Sequence, residues 1–199
     1  DITVCANNDT ILLSGSITSG ATTGFWSSSG TGIFLPDSSV LNGTYVPSAA
    51  DTTAGTVTLT LASTNGCRVV LDSLIVTITD APLVNAGPDM ALCGGNPVTL
   101  NGTVLISTGG VWTSSGNGTF APDSSALNAT YTPGSNDTSV VTLVLTSTGN
   151  GQSLAVSDTM LITIGQQPIA GFTHTGACIG QSVSFTDTTI TFGTDTIVN

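Results

Sequence analysis

The sequence predicts an all-β protein made of tandem antiparallel β-sandwiches, and three observations carry that prediction. First, 59 of the 199 residues are Ser or Thr and 24 are Gly, while Lys and Glu are both absent. That balance favours extended, turn-rich chain over helix. Second, the apolar residues come in short alternating runs such as VTLTL from Val57 and VVTLVL from Val140, bounded by Gly, Asn and Ser. Such runs are strands with one buried face. Third, the chain repeats itself with a period of about 86 residues.

The repeat fixes the elements in order. The opening ITVCANNDTILLSG matches MALCGGNPVTLNG, which aligns Cys5 with Cys93 and Gly15 with Gly102. Next, GFWSSSGTGIFLPDSSVLNGTYVPS from Gly24 recurs as GVWTSSGNGTFAPDSSALNATYTPG from Gly110, pairing Trp26 with Trp112, Phe34 with Phe120 and Tyr45 with Tyr131. VTLTLASTNG from Val57 then matches VTLVLTSTGN from Val141, and DSLIVTITDAP from Asp72 matches DTMLITIGQQP from Asp158. Strand-like runs separated by turn residues every 8 to 12 positions amount to about seven strands per repeat. The expected division is residues 1–83, 84–168 and an incomplete third repeat over 169–199, in which Cys178 stands at the Cys5 position. That third segment is either a piece of a longer array or a segment completed by a neighbour. Trp26, Trp112, Tyr45 and Tyr131 are the expected core anchors, because one large ring fills the gap of roughly 10 Å between two small sheets. The functional alternative for the tryptophans is an exposed platform that stacks on sugar.

Charge excludes several classes of partner. Twelve Asp face a single basic residue, Arg68, for a net charge of −11. Such a chain neutralises neither a phosphate backbone nor an anionic membrane, so nucleic acid is excluded as a partner class. No stretch approaches the roughly 18 apolar residues of a membrane helix, and the first ten residues lack the basic start and apolar core of a signal peptide. Membrane insertion is therefore not expected, and the chain reads as soluble.

The run W-x-S-x-G-x-G-x-F-x-P-D, followed by the Tyr-x-Pro segment and a closing D…I-T-I, resembles the PKD-like, immunoglobulin-like repeats of very large secreted surface proteins of Bacteroidota. The SprB-type gliding adhesins are an example. The third repeat, with PIAGF and VSFTD, is similar to the start of a more orthodox PKD domain. The resemblance implies secretion to the cell surface through the type 9 pathway and a role in attachment or gliding motility. It also implies O-glycan acceptors at Asp-Ser/Thr followed by Ala, Ile, Leu, Val, Met or Thr. The matches centre on Thr10, Thr52, Ser73, Thr159, Thr188 and Thr196.

Four cysteines in an exported chain raise three disulfide pairings. Cys5 on the first strand and Cys67 in the turn before the last strand are the expected pair, closing about 60 residues for a stabilisation of roughly 4 kcal/mol in the chain-entropy view. The second repeat has Ser153 where the first has Cys67, which leaves Cys93 without a partner inside its own repeat. Cys178 pairs either with a partner in the missing part of the third repeat or with Cys93, which would join the first strands of two successive repeats. No enzyme is expected. His174 is the only histidine and lies in an ordinary strand-to-turn stretch of the third repeat, and the duplicated Asp37/Asp123 and Asp72/Asp158 read as turn caps. No cofactor is expected; calcium held by clustered Asp at the repeat junctions is the alternative reading of the carboxylates.

These readings converge on a non-enzymatic stalk or filament segment of a secreted adhesin, whose partners are further copies of the same repeat. A self-assembling subunit completed by strand exchange between chains is the second expectation, and a polysaccharide-binding module the third.

Overall fold

A computed structural model describes residues 1–18, 20–176, 178–180 and 182–191. The first repeat consists of β1 (Ile2–Cys5), β2 (Ile11–Leu12), β3 (Thr23–Ser28), β4 (Ile33–Leu35), β5 (Thr44–Val46), the short helix α1 (Ala49–Ala54), β6 (Thr56–Thr64) and β7 (Leu71–Thr79). The second contains β8 (Leu83–Asn85), β9 (Met90–Cys93), β10 (Val98–Thr99), β11 (Thr103–Leu105), β12 (Gly109–Ser114), β13 (Thr119–Ala121), β14 (Thr130–Thr132), β15 (Val140–Thr148) and β16 (Ser157–Gly165). A hairpin of β17 (Phe172–Thr175) and β18 (Ser184–Asp187) follows.

In the first repeat a four-stranded sheet in the order β1-β7-β6-β3 faces a three-stranded sheet β2-β5-β4; the second repeats the plan as β12-β15-β16-β9 and β10-β14-β13. The alternation expected from the sequence is what builds the interior. Along β6, Val57, Leu59, Leu61 and Ser63 are buried, whereas the intervening Thr56, Thr58 and Thr60 face outward. Val57, Leu59 and Leu61 pack with Ile11, Leu13, Trp26, Tyr45, Val76 and Ile78 into one core. Burying each such aliphatic side chain stabilises by roughly 1.5–3 kcal/mol. In the second repeat Trp112, Tyr131, Leu143, Leu145, Met160 and Ile162 are buried.

Two features differ from the expected all-antiparallel sandwich. β1 runs parallel to β7 and β9 to β16, Ile2 opposite Val76 and Met90 opposite Ile162. β1 and β9 each lie at the edge of a sheet, so the sheet is mixed there while its remaining ladders are antiparallel. The first repeat also contains a helix, α1. Its six residues carry no apolar stripe; Ser48 and Asp51 form a capping box at its start and Gly55, at φ 73°, closes it.

The chain divides into two compact units. One comprises Asp1–Leu83 with Val104–Gly109 and Ser147–Val156; the other comprises Val84–Thr103, Gly110–Thr146 and the chain from Ser157 onward. In the hairpin Phe172 and Phe185 are both exposed, with ring centroids 5.8 Å apart.

Candidate functional site

Each repeat is closed by a tyrosine that joins its two sheets. Tyr45 sits at the centre of β5, where pairing with β2 and β4 turns its ring inward to meet Phe34 at 4.9 Å. Its hydroxyl lies 2.8 Å from Ser28 Oγ at the end of β3 and donates to Asp51 Oδ2 at 2.8 Å. Asp51 is the third residue of α1 and is 3% exposed. Its carboxylate also accepts the backbone N–H groups of Thr31, Gly32 and Ser48 at 2.8–2.9 Å. Burial is the largest single influence on this carboxyl and pushes its pKa up. The bonds from Ser48, Thr31, Tyr45 and Gly32 together outweigh it, and the carboxyl is held at about 2. Burial raises the Tyr45 phenol.

The second repeat has a looser version. Tyr131 lies 2.8 Å from Ser114 Oγ and donates to Asp137 Oδ2 at 3.2 Å, while Asn117 and Gly134 donate their backbone N–H groups to the same carboxylate. The Gly134 N–H is the main cause lowering the Asp137 carboxyl. Asp51 and Asp137 are the pair that the sequence reading passed over. They stand 86 residues apart, in register with Tyr45 and Tyr131, but the alignment slips by two residues just beyond them, at Val57 and Val141.

The tryptophans are tied in the same fashion, Trp26 Nε1 donating to Leu41 O at 3.1 Å and Trp112 Nε1 to Leu127 O at 3.3 Å. At 7% and 1% exposure neither ring presents a face on which a sugar could stack. Asp37 and Asp123 each accept the backbone N–H and the hydroxyl of the Ser two residues on, and those bonds lower both carboxyls. Asp158 accepts the N–H of Ala86, and Asp72 that of Ser73. Among the described residues no group of three or more His, Cys or Asp side chains is placed to hold a metal ion. His174 lies on β17 against the Phe185 ring.

Of the acceptor positions implied by the resemblance, Thr10, Ser73, Thr159 and Thr188 are exposed. Thr52 is half-buried with its hydroxyl bonded to Ser48 O, and Thr196 lies outside the described residues.

The expected Cys5–Cys67 bridge is corrected by the geometry. Cys5 pairs with Thr79 at the far end of β7, whereas Cys67 is exposed in the turn before β7 begins at Leu71. Eight strand steps separate those ends, roughly 26 Å at about 3.3 Å per residue. A disulfide requires Cα atoms within about 7 Å. Cys5 is instead buried within the first unit, its thiol donating to Asn7 Oδ1 and Asp80 O and touching the hydroxyl of Ser153. Around that contact Asn7 exchanges two hydrogen bonds with the Leu154 backbone and Asn8 donates to Gln152 O, all at 3.0 Å.

Near Cys67, a groove of about 420 Å³ is lined by Ile17, Leu61, Cys67, Arg68, Val70 and Leu71. It holds the only cationic side chain of the protein.

Two facing sheets in each repeat, closed by the same tyrosine, tryptophan and carboxylate, define an all-β protein of tandem immunoglobulin-like sandwiches. No family model matches the chain, and no curated protein matches it. It is similar to the fibronectin(III)-like modules of Clostridium thermocellum CbhA at 12% identity and a TM-score of 0.37, covering 82% of this chain and 89% of that one. It is similar to extracellular cadherin domains 3–6 of protocadherin gamma B2 at 11% and 0.37, covering 92% and 60%, and to titin domains I67–I69 at 10% and 0.38, covering 94% and 72%.

Proposed function

We propose that this chain is a non-enzymatic, load-bearing segment of a secreted surface adhesin, in which the sandwich repeats act as a stalk. One observation carries the reading: the tyrosines and carboxylates that recur in both repeats are tied up in hydrogen bonds that hold the sandwich and its turns. The buried tyrosines and Asp51 close the core, and the duplicated Asp37/Asp123 hold their own turns. What the repeats expose is Thr-rich and acidic, a surface suited to solubility. Cell-surface attachment, gliding and export belong to the same reading, as do O-glycans on exposed Thr10, Ser73, Thr159 and Thr188.

Force spectroscopy on the chain held between two handles tests it. Each sandwich is expected to resist extension and then give way in one step, releasing about 80 residues at roughly 3.5 Å each, close to 280 Å. A smooth extension without steps overturns the load-bearing reading.

The second reading, a filament subunit completed by strand exchange, draws on the hairpin β17–β18. Its Phe172, Phe185 and Ile190 are all exposed. Residues 184–187 already pair with 172–175 of the same chain, so an incoming strand would add at an edge of this hairpin.

A further inference from the structure

The cysteine pattern becomes intelligible once the repeat is combined with the contact at Cys5. Ser153, which touches the Cys5 thiol, occupies in the second repeat the position that Cys67 occupies in the first. Cys5 in turn occupies the position that Cys93 occupies in the second repeat. The two positions that meet are therefore the first-strand position of one repeat and the turn position of the repeat after it. At the place where they meet in this chain, one is Cys and the other Ser, and no bond can form. The complementary halves, Cys67 and Cys93, are both free and both exposed.

We propose that Cys67 of one molecule forms a disulfide with Cys93 of a second copy, joining the chains head to tail. The proposal rests on the tandem-repeat reading above but adds a covalent partner to it. Of the polar groups at the Cys5 contact, Asn8 has a counterpart in Asn96, whose amide is bonded to Cys93 O at 2.8 Å in the single chain. The turn that carries Cys67 is two residues shorter than the one that carries Ser153, so the Gln152 carbonyl has no aligned counterpart there. Gly95 replaces Asn7, so the two hydrogen bonds to the Leu154 backbone have no counterpart at Arg68. Docking of a second copy is thus weaker than the contact inside the chain, and the disulfide supplies what the missing asparagine does not. A contact between two different surfaces of the same molecule leaves one unused half at each end of a dimer, so it propagates to higher oligomers unless its rotation closes a ring.

The oxidant is a small-molecule disulfide such as oxidised glutathione. The Cys67 thiolate attacks one of its sulfurs, the S–S bond breaks, and one glutathione thiolate leaves and takes up a proton. The Cys93 thiolate of the second copy then attacks the Cys67 sulfur and displaces the other glutathione. Two protein thiols and one glutathione disulfide give one protein disulfide and two glutathione thiols.

The test uses the full chain with Cys178→Ser, which removes the third exposed thiol, incubated in a glutathione redox buffer and resolved without reductant. The expected result is a ladder of dimers, trimers and higher species that collapses on reduction and yields a peptide linking Cys67 to Cys93. Adding Cys67→Ser or Cys93→Ser is expected to lower the ladder at least tenfold. Monomer carrying glutathione on both cysteines, or cross-links between Cys67 and Cys93 no more abundant than chance pairing of exposed thiols gives, overturns the proposal. Ser153→Cys tests the contact from which it is drawn. That variant is expected to form a disulfide with Cys5 inside one chain, seen as the loss of two hydrogens from the intact mass. Two free thiols there remove the basis for docking. Because the force measurement uses monomer, a failed ladder with stepwise unfolding intact rejects the disulfide and leaves the stalk standing.

Discussion

At the residue scale, Asp51 is a carboxylate enclosed by donors, and the direction of its shift makes a prediction about acid. In the unfolded chain an aspartate titrates near pH 3.9, as about the ordinary value; in the fold Asp51 is held at about 2. Between those values the unfolded chain binds more protons than the folded one, so stability rises with pH. The contribution is complete above the unfolded value and is lost as pH falls through the folded one. Asp37, Asp123 and Asp187 are lowered by bonds from nearby hydroxyls and backbone, and they act in the same direction. Asp51→Asn removes the titration while keeping the shape. Urea midpoints followed from pH 5 down to pH 2 should therefore fall more steeply in the natural protein than in the variant, with the gap between them narrowing at the acid end. Parallel curves would show that the enclosed carboxylate adds nothing to acid sensitivity.

At the scale of elements, each tryptophan strand crosses a glycine that leaves no room for a methyl group. A Cβ built on Gly102 would lie 2.6 Å from the Trp112 ring and 2.7 Å from Leu145, whereas on Gly15 the Trp26 ring and Leu61 lie 3.0 and 3.1 Å away. Gly102→Ala should therefore cost more than Gly15→Ala, by an overpacking penalty of about 1–3 kcal/mol. Thermal unfolding of the two single variants measures it, and equal losses would mean that both rings shift with equal ease. These glycines, like the tryptophans and tyrosines, were legible in the sequence, because a position required by packing recurs at the repeat offset. Other elements were not. Helix α1 has six residues and no apolar periodicity, so its only written signals are Ser48, Asp51 and Gly55, and the second repeat lacks an equivalent. The parallel pairing of β1 with β7 joins strands more than seventy residues apart, and nothing in either strand states which edge it takes. The cysteine pairing failed for a related reason. Cys5 meets position 153 of the following repeat, and because that position is Ser no cysteine spacing in the sequence points to the contact.

At the scale of the whole molecule, charge is the feature left to balance. The net charge is −11, the sequence pI is about 4.1, and a single arginine stands against twelve aspartates. Most of those carboxylates are on the surface with no cation to neutralise them, so at neutral pH the folded state is opposed by its own repulsion. Screening relieves that repulsion once the Debye length, about 10 Å at 0.1 M salt, falls below the spacing of the charges. The thermal midpoint should therefore climb by several degrees between about 10 mM and 0.5 M sodium chloride, since 1 kcal/mol is worth roughly 2–4 °C in a chain of this size. Unchanged midpoints would show that the repulsion does not weigh on the fold. The identity of the cation separates screening from binding. Calcium chloride at matched ionic strength should exceed the sodium effect only slightly, because the duplicated Asp37 and Asp123 are already bonded within their own turns and Asp51 is enclosed by donors. A large extra rise at millimolar calcium, saturating with concentration, would instead mean that a hard-cation site forms on this acidic surface and that the stalk is stiffened by metal.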